Sequence, residues 1–409
     1  MKRVVVTGMG ALSPLGHDWP TVRAKLRSRQ NAVRVMDEWA AFEGLNTRLG
    51  AMAQPFDLPS HYHRKSMRSM GRVAVMGTRA SELALEHAGL LGHPLVQSGR
   101  MGISYGSSIG SPHAIGDFGR MILGNNTEGI TANTYIKSMA HTAAVNIGVF
   151  FGLTGRIITT SSACTSSSQG IGYAYETIQS GKQVAMLAGG SEELHAIDAA
   201  VFDTLFATST RNGEPSLTPR PFDANRDGLV LGEGACTLVL EELEHALARG
   251  ATIHAEVLGY GTNSDGRHVT QPAAETMGQA MQLALDDAGV QAADIGYINA
   301  HGTATDKGDV FESLATHTVL GGRTPISSLK SYMGHTLGAC GALEAWMTIE
   351  MMREGWFAPT LNLEQVDPEC APLDYIVGDG RELQTDLVMS NNFAFGGLNT
   401  SLIFKRWKG

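Results

Sequence analysis

Cysteine is scarce in this chain of 409 residues: Cys164, Cys236, Cys340 and Cys370 are the only four, and no two form a CxxC pair. That excludes a disulfide framework and the usual clustered zinc spacings, and it makes a reduced, cytoplasmic setting the expectation. The His-Glu-x-x-His pattern of zinc hydrolases is missing as well. No apolar run approaches the roughly 20 residues that a membrane helix needs. The short apolar start, Val4-Val-Val6, passes at once into Gly8-Met-Gly10, too soon for a signal peptide. Charged residues make up only 17% of the chain and leave a net charge of −9, which argues against nucleic acid or an anionic membrane as main partner. Hydrophobic residues, by contrast, make up 43%, and there are 49 glycines. Such a chain buries a large core and turns tightly, as a large α/β unit does.

Strand and helix signals alternate along the chain. Residues 3–7 read as a strand that Gly8-Met-Gly10 turns. A dinucleotide fingerprint fails there, because Ser13 stands at the third glycine position and no acidic residue ends a well-placed second strand. Tyr62 to Arg72 is the only dense basic cluster, with Arg64, Arg68 and Arg72 at spacings that place them on one helical face. In an acidic chain this patch stands out as a dock for an acidic partner. Val73–Gly89 reads as a helix, 101–110 as a buried strand running into a Gly/Ser loop, 131–153 as helical and 184–190 as a buried strand. After Gly250 the pattern starts again: strand 253–260, helix 276–288, strand 295–299. Two stretches echo each other. Ile157–Gly172 and Ile326–Gly341 both run from strand through polar turn to a helix of Gly, Ala, Ser and Thr. Two such helices can approach closely at the centre of a duplicated fold, which divides the chain at 1–250 and 251–409.

Packing explains the small residues but not what stands near their starts. Cys164 sits at a strand-to-helix junction, where helix N–H groups lower a thiol pKa and steady an oxyanion. His301, Lys330 and His335 also fall at element ends, where open α/β sheets build their sites. His301 and His335 are flanked by residues too small to need an imidazole for packing. A metal site would want three or four clustered ligands. Acyl transfer fits better: a thiolate attacks a thioester, and imidazole N–H groups hold the oxygen on which charge builds.

Taken together, Ala163-Cys164-Thr-Ser, Arg220-Pro-Phe-Asp-Ala-Asn-Arg-Asp-Gly-Leu-Val-Leu-Gly-Glu-Gly, Asn299-Ala-His301-Gly-Thr-Ala-Thr, Leu329-Lys330-Ser-Tyr-Met-Gly-His335 and Phe393-Ala-Phe395-Gly-Gly resemble the elongating β-ketoacyl-acyl carrier protein synthases over essentially the whole chain. The resemblance implies an α/β thiolase-like fold, two duplicated halves in a five-layered α-β-α-β-α core. It implies decarboxylative condensation of an acyl group on Cys164 with a malonyl group on an acyl carrier protein. His301 and His335 would assist decarboxylation, Lys330 would pair with Glu312, and Phe395 would gate the site and supply an oxyanion amide. Ile109 and Phe202 would line the acyl pocket, and Thr270, Thr303 and Thr305 the malonyl and pantetheine end. Arg64, Lys65 and Arg68 would dock the carrier. No cofactor or metal is implied beyond the carrier's own phosphopantetheine arm. A dimer with an identical or ketosynthase-like subunit is implied.

Three departures bear on the partner. Leu398 precedes Asn399 where Thr is common, Phe206 stands where a basic docking residue is frequent, and the loop at Asn125 lacks basic residues. The loop 261–274 is similar to that of specialised type II polyketide or aryl-polyene ketosynthases, which implies as an alternative a ketosynthase subunit working with a chain-length-factor partner. A non-catalytic partner subunit usually lacks the nucleophile that Cys164 supplies here. A degradative thiolase would need a second cysteine between Asn391 and Gly397, and a priming synthase would carry Asn at His335. A cysteine hydrolase leaves Lys330 and the second histidine unexplained.

Overall fold

The computed structural model describes all 409 residues. Eleven strands join in one hydrogen-bonded array: β1 (Val4–Leu12), β2 (Met101–Gly106), β3 (Ile157–Thr160), β4 (Ala185–Glu192), β5 (Gly234–Glu242), β6 (Ala255–Ser264), β7 (Tyr297–Asn299), β8 (Pro325–Ser327), β9 (Asp374–Tyr375), β10 (Leu387–Ala394) and β11 (Leu398–Arg406). From the centre outward the first half runs β1-β5-β4-β2-β3 and the second β6-β11-β10-β7-β8, with β9 added at the far edge. The two halves match in direction as well as order. The first two pairings of each are antiparallel and the last two parallel. Antiparallel pairing of β1 with β6 joins them.

Five helices set the layers around the sheets. α1 (Arg72–His87) covers one outer face and α4 (Ala274–Ala288) the other. Between the halves lie α2 (Ser166–Gln179) and α5 (Cys340–Glu354), with α3 (Ala196–Asp203) at the rim. This is the expected five-layered arrangement. The two central helices are buried along nearly their whole length. They come together through small residues: the Ser167 hydroxyl accepts from the Ala342 N–H at 3.0 Å, and a Cβ on Gly341 would lie 2.8 Å from the Ser168 nitrogen.

The glycines at 8 and 10 do not turn the chain. β1 runs straight through them to Leu12. A Cβ at Gly8 or Gly10 would lie 2.4 Å from the carbonyl oxygens of Ala84 and Ala80 on α1. In the second half Gly259 and Gly261 of β6 stand in the same relation to Ala284 and Ala280 of α4, at 2.5 and 2.1 Å. Close strand-to-helix packing, not turn chemistry, demands these glycines. The helix expected around Arg64 and Arg68 is absent: residues 61–70 form successive turns, and α1 begins at Arg72. The helical stretch at 131–153 is two helices, Ala132–Ser138 and Thr142–Phe151.

Candidate active site

A cavity of about 560 Å³ opens between α3, the segment after β7 and the turn that joins β10 to β11. Cys164, His301 and His335 meet at its floor. Cys164 lies in a short 3-10 turn, Ala163–Thr165, that feeds α2. The matching turn of the second half is Leu337–Ala339, ahead of α5. Both start on a left-handed residue that carries a Cβ, Ala163 at φ 49° and Leu337 at φ 45°. Each such residue costs about 1–2 kcal/mol, so the surrounding packing must hold it. Glu192 at the end of β4 is one such hold. Its buried carboxylate accepts from the N–H groups of Ser108 and Gly338 at 2.7 and 2.9 Å and from the Ser107 hydroxyl at 2.9 Å.

The two imidazoles are set in the same tautomer by different donors. His335 Nδ1 accepts from the Leu337 backbone N–H at 3.2 Å, so its proton sits on Nε2, which is 2.9 Å from the Cys164 sulfur. His301 Nδ1 lies 3.1 Å from Lys330 Nζ, an ammonium that can only donate, so its proton also sits on Nε2. The rings stand perpendicular, 5.1 Å between centroids. Burial pushes the pKa of each well below that of a free histidine, and the Lys330 charge pushes further. Both rings are therefore neutral donors at neutral pH.

These tautomers are ill suited to a metal. The sulfur and two ring nitrogens lie within 4.8 Å of one another, close enough to share an ion. A ligating histidine, however, offers a lone pair and donates its other N–H outward. Here both outward nitrogens accept, and the lysine ammonium beside His301 repels a cation.

Lys330 does not pair with Glu312. Its Nζ donates to Glu344 Oε1 at 2.5 Å, with both groups fully buried. Burial alone would lower the lysine pKa, but Glu344, together with the Cys340 and Glu312 charges, raises it and holds the amine charged. Glu312 instead accepts from the backbone N–H groups of His301 and Gly302, both at 2.7 Å, and so fixes the loop on which His301 sits. The reason is geometric: Glu312 is already committed to that loop, whereas Glu344 projects from α5 between Lys330 and β10. A glutamate on the apolar run Ala342-Leu-Glu344-Ala-Trp-Met was the available signal.

The expected lowering of the thiol pKa fails too. Burial raises Cys164 to about 11, although the Phe395 N–H, the Lys330 charge and its own N–H pull the other way. Desolvation of the thiolate outweighs the helix end. Phe395 stands in the turn between β10 and β11, with its ring 6.0 Å from that of Phe202. Both line the cavity, as do Thr303 and Thr305, whose hydroxyls are 2.9 Å apart, and Thr270 at the exposed mouth. Ile109 does not line it. Its N–H lies 3.4 Å from Glu192, on the loop behind the nucleophile. Arg64, Lys65 and Arg68 are exposed on the 61–70 turns, while Arg72 is spent on Glu233, with two contacts of 2.6 and 2.7 Å. Phe206 is 89% exposed and helps form the cavity mouth. Asp309 was not foreseen. It accepts from the N–H groups of Phe222, Thr303 and Ala304 and ties the two loops at the cavity together.

The chain is similar to known proteins along its whole length. The family model of the β-ketoacyl synthase N-terminal domain matches residues 1–246, and that of the C-terminal domain residues 254–364. The chain is 40% identical over 418 residues to the 3-oxoacyl-[acyl-carrier-protein] synthase 1 of Haemophilus influenzae, covering all of both chains. It is 37% identical to the enzyme of that name from Escherichia coli K12, again over all of both. A solved β-ketoacyl synthase from Burkholderia phymatum superposes with a TM-score of 0.99 at 62% identity over the full length of both chains. A type II polyketide ketosynthase, solved in complex with its acyl-carrier protein and bound to a hexaketide, superposes with a TM-score of 0.88 at 28% identity, also over both full lengths.

Proposed function

The chain belongs to the β-ketoacyl synthase family, and from that premise we propose that it condenses an acyl group held on Cys164 with a malonyl group carried by an acyl carrier protein. The observation that carries this reading is the pair of neutral Nε2–H donors, His301 and His335, set beside one buried thiol. The carrier's phosphopantetheine arm enters by the mouth at Thr270 and Phe206. In the first half-reaction the Cys164 sulfur attacks the acyl thioester carbonyl. The N–H groups of Cys164 and Phe395 hold the oxyanion, and the thiol proton leaves with the departing carrier thiol. In the second, both imidazoles donate to the carbonyl oxygen of the malonyl thioester. The bond to the carboxylate breaks, carbon dioxide leaves, and the electron pair becomes the enolate. The enolate carbon then attacks the acyl-Cys164 carbonyl and expels the cysteine thiolate. An oxyanion donor of this kind is worth about 2.7–4 kcal/mol in the transition state.

Lys330 acts here by orienting His301 and by its charge. Arg64, Lys65 and Arg68 form the carrier dock. The intact nucleophile and the relatives named 3-oxoacyl-[acyl-carrier-protein] synthase favour an elongating synthase over a chain-length-type partner subunit. The enzyme acts as a dimer in the cytoplasm. Edge strand β3 with its exposed Ile157 supports the first part. Four free cysteines and the absence of any helix long and apolar enough to cross a membrane are consistent with the second.

The test separates the half-reactions. Cys164→Ala should lose condensation. Cys164→Gln should lose condensation while keeping or raising carbon dioxide release from malonyl-carrier protein. Condensation surviving in either variant would sink the mechanism.

A further inference from the structure

We propose that Asn392 is a positioning residue for the decarboxylation step, acting through Glu344 and Lys330 on His301. The inference rests on the reading above and extends it by one residue. Asn392 lies on β10, next to cavity-lining Phe393, but its side chain faces the central helix α5. It is fully buried. Its Nδ2 donates to Glu344 Oε2 at 2.7 Å, opposite the oxygen that takes Lys330. Asn299 of β7 reaches the same Oε2 from 3.4 Å. The chain of contacts then runs Asn392, Glu344, Lys330, His301, with every member buried.

The orientation of the amide shows what fixes it. Asn392 Oδ1 is buried without a hydrogen-bond partner. Turning the amide over would free the nitrogen to face elsewhere, but it would set two oxygens 2.7 Å apart against a carboxylate. A buried acceptor left unpaired is costly, because it has lost its water and gained no donor. The side chain bears that cost, so the bond to Glu344 outweighs it. The fold also makes room: a Cβ on Gly341 would lie 2.8 Å from Oδ1. The same Nδ2 lies 3.6 Å from the Cys340 sulfur, whose thiol donates to the Cys164 carbonyl oxygen at 3.2 Å.

The consequence is chemical. Burial pushes the Glu344 carboxyl upward, and Lys330, Asn392 and Asn299 pull it back. An ionised Glu344 keeps Lys330 an ammonium, and only an ammonium guarantees that His301 Nδ1 is the acceptor and Nε2 the donor. His335 takes its tautomer from a backbone N–H and not from this chain, and feels Lys330 only as a distant charge. Disturbing Asn392 should therefore impair decarboxylation, which needs both imidazoles, more than acyl loading of Cys164, which Lys330 reaches only through its charge.

The test is Asn392→Asp, read as the pH profile of carbon dioxide release from malonyl-carrier protein. A protonated aspartic acid can donate to Glu344; an aspartate repels it. The titratable and charged groups facing position 392 are Glu344 and Cys340 on α5, Lys330 beyond Glu344, and Cys164 at the head of α2. N392D should therefore retain activity at acid pH and lose at least tenfold more than wild type as pH rises from 6 to 8.5. Asn392→Leu, of similar branched shape but without a donor, should lose decarboxylation at every pH by a much larger factor than it loses acyl loading of Cys164. In the Glu344→Gln background N392D should add no further pH dependence. A pH profile of N392D parallel to wild type, or equal loss of loading and decarboxylation in N392L, overturns the proposal. Loss of acyl loading by the wild-type protein itself would instead overturn the condensation reading.

Discussion

At the residue scale, two left-handed turns and two imidazole tautomers carry the chemistry. The histidines were legible because small neighbours gave them no packing role. The charge partner of Lys330 was not. Glu312 and Glu344 are both buried glutamates, and only the three-dimensional path distinguishes the one that holds a loop from the one that meets the amine. The thiol pKa was misread for a related reason: a helix end is visible in sequence, but full burial is not. With Cys164 raised to about 11, only its thiolate reacts with iodoacetamide. The sign follows: below that value each unit of falling pH removes about nine-tenths of the thiolate. The alkylation rate, followed by intact mass, should climb about tenfold per unit from pH 7 to 10. A plateau reached below pH 8 would contradict the burial account.

At the element scale, the strand-turn-helix echo at 157–172 and 326–341 marked the two central helices, and the structure packs them against each other through Ser167, Ser168 and Gly341. The glycine pairs in β1 and β6 carry the same duplication, but Gly8-Met-Gly10 reads as a turn in sequence, because close approach and tight turning use the same amino acid. The basic segment was read as a helix from its spacing, yet Gly71 and the turns before it confine the helix to Arg72 onward. What survives is an exposed turn bearing Arg64, Lys65 and Arg68. Such rim charges act on encounter more than on chemistry. Reversing Arg64 and Arg68 to Glu should raise KM for carrier-bound substrate roughly tenfold, about 1.4 kcal/mol, and leave KM for a small thioester mimic unchanged. A change confined to kcat would rule out the docking role.

At the scale of the whole molecule, strand order and strand direction repeat through both halves, and the repeat places both small-residue helices at one shared centre. The nucleophile comes from the first half and both histidines from the second, so the site exists only where the halves meet. Order along the chain carries the repeat, whereas the edge strands and the loop that holds Ile109 away from the cavity depend on packing between distant segments. The most direct test follows the sulfur through one cycle. The protein is incubated with a panel of acyl-carrier proteins, and its intact mass is measured before and after malonyl-carrier protein is added. The account predicts a single acyl adduct on Cys164, absent from Cys164→Ala, that disappears on addition of malonyl-carrier protein as carbon dioxide and a 3-oxoacyl-carrier product form. An adduct on another residue, or an acyl-Cys164 that malonyl-carrier protein does not discharge, would contradict it.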